Sequence, residues 1–173
     1  MTVHRLTPLP TGPATGRLLV ADSVTMPTSV ALQASSGDHQ HHEGLVLWLG
    51  RTIGTTTLVV ACAAPPTRSG PGRVHLDEHA VGATARAARA HGLGIVAQVH
   101  SHPGYDTRHS DGDDQLVLMP FEGMFSLVVA DYGRGSLHPE HGAGLHQHQA
   151  GQWVKVDDGA LHLIPSVVTV LGP

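Results

Sequence analysis

The sequence predicts a layered α/β or α+β fold, on three observations. Short apolar, β-branched runs recur along the chain, among them LVLWLG, TLVVACAA, GIVAQVH and FSLVVA, and each has the length of a buried strand. Helix-like segments lie between some of these runs, so strands and helices must share one core. Apolar residues make up 40% of the chain but aromatic ones only 3%, so that core has to be built from Val, Leu, Ile and Ala. A chain of 173 residues buries roughly 70% of its unfolded surface as one domain and is too short for two of ordinary size.

The first sixteen residues, rich in Pro, Thr and Gly, are expected to form a loosely ordered N-terminal segment, with one domain over residues 17–173. RLLVADSVTM opens that domain as a strand, and Pro27 suits the first position of a short helix reaching about Leu32. Residues 35–42 read as a polar connection. EGLVLWLGR and TTTLVVACAA, joined by the turn signal TIG, then read as an antiparallel pair. Residues 65–72 are expected to be loop. Asp77 can cap a helix whose core-facing candidates are Ala80, Val81, Thr84, Ala87, Ala88 and His91, and Gly92 stops it. GIVAQVH is the next strand, with pairing that Pro103 would end. Ser110 followed three residues later by Asp113 resembles a capping box, and DDQLVLM continues as a short helix until Pro120. FSLVVADYG reads as a strand, residues 133–151 as a Gly- and His-rich stretch, and WVKV, ALHLI and VVTVL as up to three more strands.

Composition excludes several classes. With 10 Lys and Arg against 14 Asp and Glu, net charge −4, the chain lacks the basic footprint that a nucleic-acid partner requires. No run of about 18 apolar residues exists, and MTVHRLTPLP lacks the apolar centre of a signal peptide, so a soluble, cytoplasmic protein without a membrane partner is expected. One cysteine, Cys62, rules out an internal disulfide; inside an apolar run it is expected to be a buried thiol.

The segment VHSHPGYDTRHSDGD, residues 99–113, carries the chemistry. In a strand His100 and His102 point the same way, about 6.6 Å apart along the chain, so two imidazoles can converge on one ion. Zinc takes imidazole nitrogen and carboxylate oxygen at about 2.0 to 2.2 Å, and catalytic sites usually keep three protein ligands and a water. Asp113 would supply the third ligand. Two neutral imidazoles and one carboxylate leave such an ion with net positive charge, able to pull the pKa of its water toward about 7. A general base must then take the proton. The glutamates are Glu43, Glu78, Glu122 and Glu140. Glu78 falls in a helix's first turn, where the dipole explains it, and Glu122 and Glu140 fall in loops. Glu43 opens an otherwise apolar strand and calls for a reason. Against the metal reading, a satisfied histidine pair accounts for His100 and His102, and the capping box accounts for Ser110 and Asp113. Chance alone, at the chain's own frequencies, produces His-x-His-Pro-x6-Ser-x-x-Asp roughly three times in ten thousand.

HSHPGYDTRHSDGD resembles that signature in the JAMM (MPN-plus) metalloproteases, where it follows a glutamate at the head of a Glu-(x6)-Gly strand; Glu43 and Gly50 match the ends of that strand. The likeness runs from about Glu43 through residue 131. HSHPGY is especially similar to the proteasome-lid deubiquitinase and the signalosome deneddylase, and GQWVKVDDGALHLIPSVV resembles bacterial members encoded near ubiquitin-activation-like enzymes. The resemblance implies an α/β fold with a curved mixed β-sheet flanked by two or three helices, of MPN/cytidine-deaminase-like architecture. It implies His100, His102 and Asp113 as ligands of Zn2+, Glu43 as general acid/base and Ser110 as stabiliser of the tetrahedral oxyanion. It also implies a ubiquitin-like or sulfur-carrier-like protein as substrate, cleaved after its C-terminal glycine, with activating- or conjugating-enzyme-like proteins as further partners. Val46 stands where the family's Glu-strand has a glycine, and Asp106 to His109 replace a more apolar loop; both bear on substrate fit. Eleven residues separate Asp113 from Phe125, so the family's second ubiquitin-gripping insertion is expected to be absent or minimal.

Other readings compete. The same site could trim a sulfur carrier or a small amide, or the fold could be a non-catalytic scaffold without metal. A zinc deaminase needs a Pro-Cys-x-x-Cys pair, which one cysteine excludes. The histidine clusters at 39–42 and 138–149 match no zinc spacing and are expected to be flexible loops. His109 is expected to be a solvated loop residue, Asp111 and Asp114 first-turn helix acids, and Trp48 and Trp153 core or rim packing.

Overall fold

A computed structural model of the chain describes residues 5–34, 42–70, 73–116 and 120–166. Its elements are β1 (Arg17–Ala21), α1 (Thr25–Ala34), β2 (Leu45–Ile53), β3 (Thr56–Ala63), β4 (Thr67–Gly70), β5 (Arg73–Leu76), α2 (Glu78–Ala90), β6 (Gly94–Ser101), β7 (Phe125–Val129), β8 (Gly144–Gln149), β9 (Gln152–Lys155) and β10 (Leu161–Ile164). Eight strands form one mixed sheet in the order β10-β1-β3-β2-β6-β7-β8-β9, and β4 and β5 form a separate two-stranded sheet. Pairing is parallel at β10–β1, β1–β3 and β6–β7 and antiparallel elsewhere. This is the expected α/β arrangement.

The near-continuous apolar run of β2 follows from burial on both faces of the sheet. Alternate side chains point to opposite sides. Val46 and Trp48 join the larger core with Leu32 of α1, Val59, Val99, Phe125 and Leu127. Leu45 and Leu47 join a smaller core with Val74 and Leu76 of β5, Ala80 of α2 and Leu116. Trp48 also donates from its indole nitrogen to Thr28 Oγ1 at 2.9 Å, which ties α1 to the sheet. Both tryptophans are buried, as expected of packing residues. At Gly50 the β2–β3 register slips, and a Cβ there would stand 1.7 Å from the Leu58 carbonyl oxygen. The glycine of the Glu-(x6)-Gly strand is thus set by close backbone approach.

α2 is capped as expected, Asp77 Oδ1 accepting from Ala80 N at 2.8 Å, and ends at Gly92 with φ of 68°. Ala87 and His91, however, are exposed: the buried face is narrower, centred on Ala80 and Ala88. Several other expectations need correction. Residues 65–72 are not loop throughout, because β4 pairs with β5 from Thr67–Leu76 to Gly70–Arg73. With Val74 and Leu76 as its buried apolar anchors among the described residues, such a hairpin leaves almost no periodic signal. The helix expected after Ser110 is a single 3-10 turn, Asp113–Gln115, followed by buried Leu116; residues 117–119 lie outside the described set. The stretch 138–149 is no flexible loop, since β8 runs through it and pairs with both β7 and β9. Cys62 is free but only partly buried. HQHH and VVTVL fall largely or wholly outside the described residues. Among the described residues no helix is long and apolar enough to cross a membrane.

Candidate metal centre

β6 lies between antiparallel β2 and parallel β7 and delivers the histidines at its C-terminal end. Leu45 pairs with His100. One step further along both chains, Ser101 N donates to the Gly44 carbonyl at 3.0 Å and Gly44 N donates to Ser101 Oγ at 2.9 Å. Ser101, between the two histidines, therefore faces away from them and latches the segment that carries Glu43. Continuing the register sets Glu43 beside His102. Gly44 must be glycine here, because a Cβ would lie 2.4 Å from the Leu32 carbonyl oxygen of α1. Beyond the strand His102 is held by its own backbone, its N–H donating to Val129 O at 2.9 Å and its carbonyl accepting from Tyr132 N at 2.8 Å.

His100, His102 and Asp113 converge and are all buried. The Nε2 atoms of His100 and His102 stand 3.3 Å apart; His102 Nε2 is 3.0 Å from Asp113 Oδ2, and His100 Nε2 is 3.4 Å from Asp113 Oδ1. Four ligands at about 2.0 to 2.1 Å around a tetrahedral ion stand about 3.3 to 3.4 Å from one another, so the spacing fits a divalent cation. The ring chemistry agrees. His102 Nδ1 is 2.8 Å from the Asp106 carbonyl oxygen; donating its proton there leaves the Nε2 lone pair aimed into the cluster. Among the described residues this is the one group of such side chains that could hold a metal.

Asp113 reaches the cluster on a 3-10 turn. Ser110 N donates to Asp113 Oδ2 at 2.6 Å, and Asp113 N donates to Ser110 Oγ at 3.1 Å. One geometry thus builds the capping box and turns Asp113 toward the histidine pair. Ser110 Oγ accepts from the turn and keeps its own proton to donate.

The electrostatics separate the carboxylates. Burial pushes Glu43 up to about 7, with His102 pulling it down and Asp113 pushing it further. Asp113, which burial would also raise, is held well below the usual carboxylate range by His100 and His102. His102 is lifted because Asp113 outweighs the effect of burial. In the metal-free protein Glu43 therefore binds more protons folded than unfolded between pH 4.5 and about 7. The stability it contributes when protonated is lost as pH rises through that window. Glu43→Gln, which cannot ionise, is expected to match the parent near pH 4.5 and to gain on it steadily up to about pH 7. Thermal midpoints of both proteins in chelator at pH 5 and pH 7.5 measure this; a constant difference contradicts it.

Behind the cluster the structure corrects the reading of His109, which is fully buried. Its Nδ1 lies 3.1 Å from Asp114 Oδ1 and its Nε2 2.8 Å from Ser126 Oγ, which accepts from Gln98 Nε2 at 3.0 Å. Burial lowers His109 to about 4 despite Asp114, so it is a neutral ring. It packs against His100 and His146, and His146, on β8, is held well below its ordinary value by burial. Sequence reasoning missed this layer because DTRHS reads as a solvated loop and LHQHQ as polar.

The sequence model of a family described as prokaryotic homologs of the JAB domain matches residues 30–141, which span every residue of the cluster. A probable metalloprotease of Sinorhizobium fredii is 27% identical over 144 residues, covering 78% of this chain and 85% of that protein. The solution structure of a Desulfitobacterium hafniense protein superposes with a TM-score of 0.66 at 14% identity, over 87% of this chain and 94% of that one. That last likeness bears on the fold alone.

Proposed function

The chain belongs to the family of prokaryotic homologs of the JAB domain, and from that premise we propose that it is a zinc metallopeptidase. In this reading it cleaves the amide bond after the C-terminal glycine of a ubiquitin-like protein. The observation that carries the reading is a buried carboxylate, Glu43, brought beside a ligand triad to which it does not belong. The Sinorhizobium relative's designation as a probable metalloprotease supports the reaction class. The likeness of HSHPGY to deubiquitinating and deneddylating members supports the substrate class.

His100, His102 and Asp113 would hold the ion. Once bound, Zn2+ supplies a Lewis acid for the scissile carbonyl and lowers the pKa of water at the site. The chain's own residues do the rest. The Glu43 carboxylate accepts a proton from the attacking water and hands it to the nitrogen of the departing amine. A carboxyl pushed toward 7 by burial suits both transfers near neutral pH, and a cation beside it draws it back toward the ionised form that accepts first. Ser110 Oγ–H donates to the carbonyl oxygen as that oxygen gains charge. The burial of Glu43, 6% exposed, keeps bulk water from competing for its proton.

The test uses the zinc-loaded protein and a panel of ubiquitin-like proteins carrying a reporter fused after the terminal glycine. Scission at that glycine, abolished by chelator and restored by zinc, is the expected result. A purified protein that binds no stoichiometric zinc would point instead to a non-catalytic scaffold. Cleavage that is indifferent to chelator removes the mechanism.

A further inference from the structure

Two of the three ligands sit at the end of a central strand, whereas the third, Asp113, rides on an arm outside the sheet. The N-terminal segment grips that arm from both sides. Arg5 Nη1 donates to the carbonyl oxygens of His109 at 3.1 Å and Ser110 at 3.2 Å, and to Asp114 Oδ1 at 3.2 Å. Nη2 donates to Asp114 Oδ2 at 3.1 Å, and Nε to the Thr7 carbonyl at 3.1 Å. Every nitrogen of the guanidinium is thus engaged, and the side chain is 14% exposed. The next residue adds a fifth tie to the arm, Leu6 N donating to Asp111 Oδ2 at 2.9 Å.

The segment is itself anchored. Lys155 N donates to Pro10 O at 2.8 Å and Gly12 N to Lys155 O at 3.0 Å, so residues 10–12 run along β9. Thr15 N donates to Gln147 Oε1 of β8 at 2.8 Å. A path of hydrogen bonds therefore leads from the β8–β9 edge through residues 5–15 to both flanks of the Ser110–Asp113 turn. Besides Asp113 itself, which meets His100 and His102, ties from the arm to the sheet include His109 on Ser126, and Asp114, which Arg5 grips, also holds His109.

We propose that Arg5 is a positioning residue of the metal site, fixing the Ser110–Asp113 arm so that the third ligand stands ready beside the histidine pair. This rests on the metal-site reading above. A planar fork that meets two carbonyls and both oxygens of one carboxylate is a task for arginine; an ammonium cannot span all four acceptors. The contribution is preorganisation, since an arm free to move must be ordered each time the ion binds.

The experiment measures Zn2+ affinity by chelator competition for the full chain and for Arg5→Ala, Arg5→Lys, Asp114→Asn and the Arg5→Ala/Asp114→Asn pair. Thermal midpoints of the metal-free proteins are recorded beside it. Loss of a partner that orients a ligand typically weakens metal binding about 10- to 100-fold. Arg5→Ala is expected to fall in that range, Arg5→Lys between it and the parent, and the double variant short of the product of the two singles. Arg5→Ala within about twofold of the parent overturns the proposal even if its midpoint drops, because a merely structural strap would lower the midpoint alone. If Arg5→Ala does not fold, Arg5→Lys and Asp114→Asn decide by the same twofold limit. A parent chain that binds no zinc would instead overturn the metal-site reading, so the two failures are told apart.

Discussion

Replacing Glu43 by Gln is expected to lower kcat about 10²- to 10⁴-fold while one equivalent of metal stays bound, the range typical of a removed general acid–base. The substitution keeps the volume of the side chain. It also leaves the local backbone untouched, because Glu43 is positioned by its neighbour Gly44, whose N–H and carbonyl are both latched to Ser101. His100, His102 and Asp113 meet one another without it. The loss should therefore appear in kcat with KM little changed, the mark of a group needed in the transition state rather than in binding. Metal content measured on the same preparation separates the roles. Loss of metal together with activity would make Glu43 a ligand, and retained turnover would leave the proton transfers to another group.

The legibility of the site follows from how local its determinants are. His100 and His102 are two residues apart on one strand, so period-two alternation was enough to bring their rings together. Ser110 and Asp113 are joined by a turn that their own side chains build. Glu43 was visible as a carboxylate at the head of an apolar run. The apolar runs of β2, β6 and β7 were equally plain because both faces of the sheet are covered there, whereas β3 leaves Val60 exposed on one side. β8 was not plain, because apart from Leu145 its buried side chains are histidines and glutamines whose burial depends on partners far along the chain: Gln147 meets Thr15, and the His146 ring meets His109. Arg5 escaped for the same reason. It stands 105 positions from Ser110 in an N-terminal run of Pro and Thr, and no spacing rule connects the two.

His102→Ala is expected to abolish stoichiometric zinc binding and with it all zinc-dependent stabilisation. Three protein ligands are already the fewest a catalytic site keeps, so the loss of one should exceed the 10- to 100-fold cost of losing an outer partner. His102 is also held through both ring and backbone: the Asp106 carbonyl fixes its ring, and Val129 and Tyr132 fix its backbone. Removing the ring leaves those backbone bonds in place, so the variant should still fold. What it leaves unbalanced is Asp113, buried with His100 as its sole remaining imidazole partner in the cluster. For the parent, zinc at 1,000 times its Kd adds about 4 kcal/mol to stability by mass action. The parent's thermal midpoint should accordingly climb with added zinc, while that of His102→Ala stays flat. A variant that climbs as the parent does would place the ion elsewhere, on groups that do not include His102.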